Sequence, residues 1–267
     1  MATPSASLYL WHGQGLYIGA GQFSTRHRHY ATQIGVSLDG NPIRIRTQAS
    51  APYTLVSGFI APPNVSHQVD TAGVLSAFLW TESEQVRMRI VRERTDTSTL
   101  LLLSEDRLRA LIPRLALLAA QPPDCVQASE ACAAIVQALA PEEGERPTLN
   151  PRILSMLKIV RQDQFAADAR PIPRIAEAMH LSTSQLRHMF RSQLGLPLQR
   201  YLLWQRLLRA VELAVATGMS LTHVAHAAGF ADSAHLARVF RATFGLKPSD
   251  ILQQQLSVQV VSCLDPA

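Results

Sequence analysis

Ser184, Arg187, His188 and Arg191 stand at i, i+3, i+4 and i+7. On a helix that spacing gathers them into one outward stripe. Ala234, Ala237, Arg238 and Arg241 repeat the spacing, flanked by Ser233 and His235. Neither stripe holds a carboxylate. Such a face offers hydrogen bonds and fixed positive charge, which suits phosphate oxygens and the edges of bases. Arginine binds guanine through two bonds, worth about 1–3 kcal/mol of discrimination. A helix of roughly 11 residues with this face fits a DNA major groove.

The elements that position these stripes are written twice. "FRSQLGL" at 190–196 returns as "FRATFGL" at 240–246. Each phrase closes a longer unit. Leu186, Phe190 and Gly195 align with Leu236, Phe240 and Gly245, and Ile175-Ala176 with Val224-Ala225 across one extra turn residue. Each unit reads as helix–turn–helix. Ala176 and Ala225 allow close helix contact, and Gly229 suits a left-handed turn position that His180 occupies in the first copy. Ser182 with Gln185 has capping-box spacing, and Asp232 can cap the other helix. Gly195 and Gly245 end the helices. Between the units, Leu203, Leu207, Leu208, Val211 and Val215 mark one long helix. The competing reading is a repeated all-α packing unit with solvated arginines. Charge placement weighs against it: residues 170–250 carry a net +6, and the rest of the chain −1.

The 267 residues suffice for one large domain or two ordinary ones, and a 47% hydrophobic content supports real cores. A net charge of +5 and a pI near 9.5 fit an anionic partner. Residues 1 to about 80 read as short strands with frequent turns, as in a small barrel or sandwich. Residues from about 82 to 140 read as helical, with Ser104 as an N-cap. "PEEGERP" at 141–147 reads as a boundary. The expected domains are 1–140, a linker at 141–148, a helical module at 149–252 and a tail at 253–267. Cys125, Cys132 and Cys263 read as buried small hydrophobes rather than a disulfide framework. The N-terminus lacks the pattern of a signal peptide, and no apolar run is long enough to span a membrane. A cytoplasmic protein is expected.

"HLSTSQLRHMFRSQLGLPLQRYLLWQRLLRAVELA" followed by "SLTHVAHAAGFADSAHLARVFRATFGLKPSD" resembles the AraC family of transcription regulators. Ala225, Gly229-Phe230, Phe240, Gly245 and Pro248 stand in family register, and "NPRILSMLKIVRQD" supplies the module's first helix. The resemblance implies double-stranded DNA as partner, with the second helices entering successive major grooves. Base contacts then fall to Ser184, Gln185, Arg187 and His188, and to Ser233, Ala234, His235 and Arg238. It also implies an effector, RNA polymerase as a further partner, and a homodimer. Leu111, Leu115, Leu118 and Ile135 are candidates for the dimer face, or for packing on their own barrel.

"GQFSTRHRHYATQIGVSLDG" resembles the first cupin motif, with His27, His29 and, in place of its glutamate, Gln33. "PPNVSHQVD" resembles the second, with His67 after Asn64, where cupins usually have glycine. The resemblance implies a β-barrel whose interior gathers these residues. Three readings follow: a divalent transition metal ion (Zn, Fe, Ni or Cu) on His27, His29 and His67; a metal-free effector pocket or packing role for His27, His29, Gln33 and His67; or surface histidines. The fold class is therefore α+β: a cupin-like β-barrel with a helical segment, then an all-α DNA-binding domain. No enzyme is expected. The alternative is a cupin metalloenzyme with an accessory helical domain, which leaves the repeated units unused. No nucleophile elbow, HExxH, P-loop or Rossmann fingerprint accompanies it.

Overall fold

The structure is a computed structural model that describes residues 6–11, 13–20, 24–82, 99–121, 123–139, 149–161, 171–249 and 258–263. It forms two compact units, one of residues 1–146 with 241–267 and one of residues 147–240. The expected linker at 141–148 lies outside the described residues.

The first unit holds strands β1 (Ala6–Trp11), β2 (Gln14–Ala20), β3 (Thr32–Ser37), β4 (Ile43–Arg46), β5 (Thr54–Val56), β6 (Gly58–Ala61), β7 (Gln68–Asp70), β8 (Leu75–Thr81), β9 (Leu101–Leu103) and β10 (Val258–Ser262). They form a seven-stranded sheet in the order β10-β1-β2-β8-β3-β6-β9 and a three-stranded sheet in the order β5-β4-β7. The period-2 alternation of side chains explains how the larger sheet serves two cores. Leu16, Ile18, Ile34, Val36, Ile60, Ala77 and Leu79 face one way, into a cluster with Leu108, Leu111, Leu115, Cys132 and Ile135. Phe59, Ala61 and Phe78 face the other way, against Ile43, Ile45, Val56 and Val69 of the smaller sheet. Gln33 and Gly35 alternate with Ile34 and Val36 and so lie on this second, inter-sheet side. A Cβ at Gly35 would sit 2.4 Å from the Phe59 ring and 2.8 Å from Phe78. Only glycine fits there without repacking both rings.

Helices α1 (Glu105–Leu108), α2 (Ile112–Ala120) and α3 (Cys125–Leu139) cover the first face. The expected helical stretch from 82 to 140 is interrupted, because residues 101–103 form β9. The apolar run after Ser104 is also two helices rather than one. Pro113 sits in the first turn of α2, where its missing N–H costs nothing and it cannot extend α1. Ser104 takes the N-cap position of α1 without a side-chain bond. Leu111, Leu115 and Ile135 are buried against the chain's own sheet, and Leu118 packs beside them. They are not an exposed dimer face.

The cysteine expectation holds for Cys132, which is buried and free. It fails for Cys125 and Cys263, which form a disulfide. Their 138-residue separation hides the pairing from any local spacing argument.

The second unit is helical. Its elements are α4 (Pro151–Val160), α5 (Pro171–Ala178), α6 (Thr183–Leu194), α7 (Leu198–Thr217), α8 (Leu221–Ala227) and the first part of α9 (Ser233–Phe244). Asn150 caps α4 by accepting from Arg152 N–H, with Pro151 as its first residue. The long connecting helix is α7. It buries Leu198, Tyr201, Leu202, Trp204, Leu207, Ala210 and Val211, a wider face than the expected stripe. The width follows from its packing on both α6 and α8. Phe190 of α6 meets Tyr201 with ring centres 5.4 Å apart.

Candidate DNA-reading helices and histidine site

Both expected turns are present. His180 and Gly229 adopt positive φ of 52° and 80° at the two turns. The first second-helix, α6, begins at the capping box: Ser182 Oγ accepts from Gln185 N–H and Gln185 Oε1 from Ser182 N–H. Gly195 ends it in the left-handed conformation. In the second copy, Asp232 Oδ1 accepts from His235 N–H at 2.6 Å, and Gly245 follows α9 at φ 73°. Leu186 and Phe190, with Leu236 and Phe240, are the buried sides of the two helices. Burying these faces forces the opposite ones outward.

Those outward faces differ. On α6, Ser184, Gln185, Arg187, His188 and Arg191 are all exposed. On α9, Ala234, Arg238 and Arg241 are exposed, while Ser233 and His235 are half-buried. The His235 ring lies edge-on to Phe230, 5.4 Å between centres. Arg187, Arg191, Arg238 and Arg241 make no ion pair among the described residues. No described carboxylate neutralises their charge.

The second site lies inside the first unit. His27, His29 and His67 are 5%, 4% and 0% exposed, so the surface reading is excluded. His27 and His67 exchange both backbone hydrogen bonds at 2.9 Å, which sets their rings 4.4 Å apart. Asn64 takes a positive φ of 66° at the bend before His67 and donates its N–H to His29 O. Asparagine tolerates that conformation, so it replaces a glycine there at small cost.

Each ring is oriented in the same way. Nδ1 of His27 faces Thr25 O at 2.8 Å, Nδ1 of His29 faces Ala31 O at 2.6 Å, and Nδ1 of His67 faces Val65 O at 2.9 Å. A carbonyl oxygen only accepts, so each Nδ1 carries the ring hydrogen and each Nε2 presents a lone pair. Burial holds all three pKa values down, with His27 near 4; the neighbouring imidazoles add to this for His27 and His67. The rings are therefore neutral at pH 7. Nε2 of His29 and Nε2 of His67 then both meet Gln33 Oε1 at 2.9 Å. That places acceptor against acceptor. Either a turned Gln33 amide donates its two hydrogens to the two rings, or a cation sits among the lone pairs. One ring nitrogen from each histidine lies within 4.8 Å of the others. An ion with metal–nitrogen bonds of about 2.1 Å would draw nitrogens at that limit inward by a few tenths of an ångström or more. Neutral, carbonyl-oriented imidazoles are also the form in which histidine binds a metal.

The His27 segment has further attachments within the first unit. Thr25 donates both its N–H and its hydroxyl to Gly245 O, at 2.9 and 3.0 Å, and Arg28 N–H donates to Ala242 O at 3.2 Å. A Cβ on Gly245 would lie 2.6 Å from Thr25 O and 2.7 Å from His27 Nδ1. Thr25, Ala31 and Val65 act here through their carbonyls, so no side-chain pattern announces them. The second role of Gly245 is likewise invisible in the sequence, where it reads only as a helix end.

A family model described as a helix-turn-helix domain matches residues 175–254. The transcriptional activator RhaS of Escherichia fergusonii is 39% identical over 92 residues, 34% of this chain and 33% of that protein. The chain thus spans about a third of the length of the curated relatives it matches. Among solved structures, apo ToxT K231A from Vibrio cholerae superposes with a TM-score of 0.55 at 12% identity, covering 90% of this chain and 96% of that one. Wild-type ToxT bound to an unsaturated fatty acid gives 0.50 at 11% identity, covering 90% and 94%. These structures share the fold: an N-terminal β-rich part and a C-terminal helical part. The curated relatives are transcriptional activators, and nothing among these matches supports the metalloenzyme alternative. No described helix is long and apolar enough to cross a membrane. Residues 175–254 thus match a helix-turn-helix domain and are similar to part of the transcriptional activator RhaS, in line with the AraC-family resemblance of the sequence.

Proposed function

We propose that this chain is a sequence-specific DNA-binding transcription regulator controlled by a divalent transition metal ion held by His27, His29 and His67. The DNA half rests on the two exposed arginine-bearing faces of α6 and α9, each fixed by a cap and a buried phenylalanine. Ser184, Gln185, Arg187, His188 and Arg238 read base edges in successive major grooves. Arg191 and Arg241 hold phosphates. Ser233, Ala234 and His235 lie at the start of α9 and make shorter contacts there, His235 being partly occupied by Phe230.

The observation that carries the metal half is the meeting of two Nε2 lone pairs with Gln33 Oε1. An ion converts that opposition into shared ligation, with Gln33 as a neutral oxygen ligand. Zinc, nickel, iron and copper all accept imidazole. Control requires only that the ion favour one conformation of the His27 segment. That segment holds Ala242 and Gly245, so its movement reaches the last turn of α9 directly.

Elemental analysis of untagged protein purified without chelator tests the metal. About one ion per chain, lost in His27→Ala, is expected. If the protein stays metal-free after incubation with zinc, nickel, iron and copper, the turned-amide arrangement holds and the effector is organic. A structure of ToxT, which shares the fold, is bound to an unsaturated fatty acid, and this supports that outcome. A salt series on DNA binding tests the other half. Affinity should fall steeply with salt through counterion release while one sequence remains preferred.

A further inference from the structure

Cys125 and Cys263 meet for reasons that do not depend on the bond between them. Tyr9 OH donates to Pro123 O at 2.7 Å, two residues before Cys125. Leu10 O accepts from Cys263 N–H at 2.9 Å. Adjacent residues of β1 therefore hold both cysteine-bearing segments. The two Cα atoms lie 5.6 Å apart, within the range a disulfide spans. Both cysteines are partly exposed, whereas Cys132 is buried at 2%.

The strand that ends at Cys263 is β10, the outer strand of the seven-stranded sheet. It pairs with β1 in parallel, from Ala6 opposite Val258 to Leu10 opposite Ser262. Without β10, β1 becomes an open edge of sequence ASLYLW, a surface that invites pairing with another strand. A five-residue parallel strand is a weak attachment by itself. The covalent link at its end adds what the short ladder lacks.

We propose that Cys125 and Cys263 are a reversible thiol–disulfide pair that fastens the C-terminal strand to β1 in response to low-molecular-weight disulfides. Cys125 opens α3 and is partly exposed, so a small disulfide can reach its sulfur. Its thiolate attacks one sulfur of the small disulfide, forming a mixed disulfide and expelling one thiolate. The Cys263 thiolate then attacks the Cys125 sulfur and expels the second. The two protein thiols lose two electrons and two protons, and one small disulfide becomes two thiols. Cys132 takes no part, since burial pushes its thiol up to about 12. In a compartment kept reducing by thiols, such a pair is a reporter rather than a permanent staple.

The test equilibrates full-length protein in buffers of reduced and oxidised glutathione. Thiols are trapped by acid and alkylated, and peptides are mapped by mass spectrometry. Hydrogen exchange of β1 is measured on the same samples. Cys125 and Cys263 should become protected together at one midpoint inside the series. The β1 amides that pair with β10 should exchange at least tenfold faster in the reduced protein. Cys263→Ser should exchange at the fast rate in every buffer. If that variant fails to fold, the wild-type series alone supplies both readouts. A pair that stays wholly oxidised or wholly reduced across the series overturns the proposal. So does oxidation that leaves β1 exchange unchanged, because the bond then fastens nothing.

Discussion

The proposed DNA-reading helices and the histidine site spend polar groups in opposite ways. Arg187, Arg191, Arg238 and Arg241 stand in water without ion partners among the described residues. They cost the fold nothing, and their value appears only when a polyanion arrives. His27, His29 and His67 are buried, and each hydrogen bond around them is already built. They cost stability unless an ion or a turned Gln33 amide meets the lone pairs that His29 and His67 direct at it. An exposed polar stripe is a site waiting for a large partner. A buried neutral cluster is a site shaped for something as small as an ion.

The largest expected contrast is between the two sides of one helix. Phe240→Ala should destabilise the protein by about 3–5 kcal/mol, since the ring is 2% exposed. Arg238→Ala should change stability by less than about 0.5 kcal/mol. Thermal melts of the two variants check this; a large loss in Arg238→Ala would mean that the stripe is structural.

The histidines should show their cost in pH. Their folded pKa values lie below the ordinary imidazole value of 6.5, near 4 for His27. Between those limits the unfolded chain binds protons that the folded chain refuses. Stability should therefore be fully present above about pH 6.5 and fall progressively toward pH 4. Bound metal should deepen the fall, since protons compete for the same nitrogens. Melts from pH 7.5 to 4.5, with and without zinc, measure it. A flat profile would show that the cluster is not held neutral.

A smaller effect separates base reading from phosphate holding. Arg238→Ala should lose preference at one base pair by about 1–3 kcal/mol, while Arg241→Ala should weaken all sequences about equally. Selection of sites from a random DNA pool with both variants reads this directly. Unchanged preference in Arg238→Ala would remove its base assignment. Smallest is the cap: Ser182→Ala should cost about 1 kcal/mol by removing the Oγ acceptor of the capping box.

The same contrast explains what the sequence made legible. Caps, helix ends and arginine spacing are local features, so Ser182, Asp232, Gly195 and Arg187 could be placed from the text alone. Short apolar stretches between turns also marked the N-terminal region as strands. The histidines could be grouped only by their likeness to a known barrel, and nothing local named the carbonyls of Thr25, Ala31 and Val65 that orient them. Cys125 and Cys263 were misread because tertiary closure brings them together. The supposed dimer leucines were ambiguous, since an amphipathic helix does not say which sheet covers it. His235 looked free to read DNA because its sequence could not show the ring of Phe230 beside it.

The most direct test measures affinity for a selected DNA site as chelator-treated protein is titrated with zinc. One equivalent should change the affinity at least fivefold, and His27→Gln should abolish the change while DNA binding without metal persists. Zinc that does not bind, or that binds without altering DNA affinity, would contradict control of the helix–turn–helix module by an ion at His27, His29 and His67.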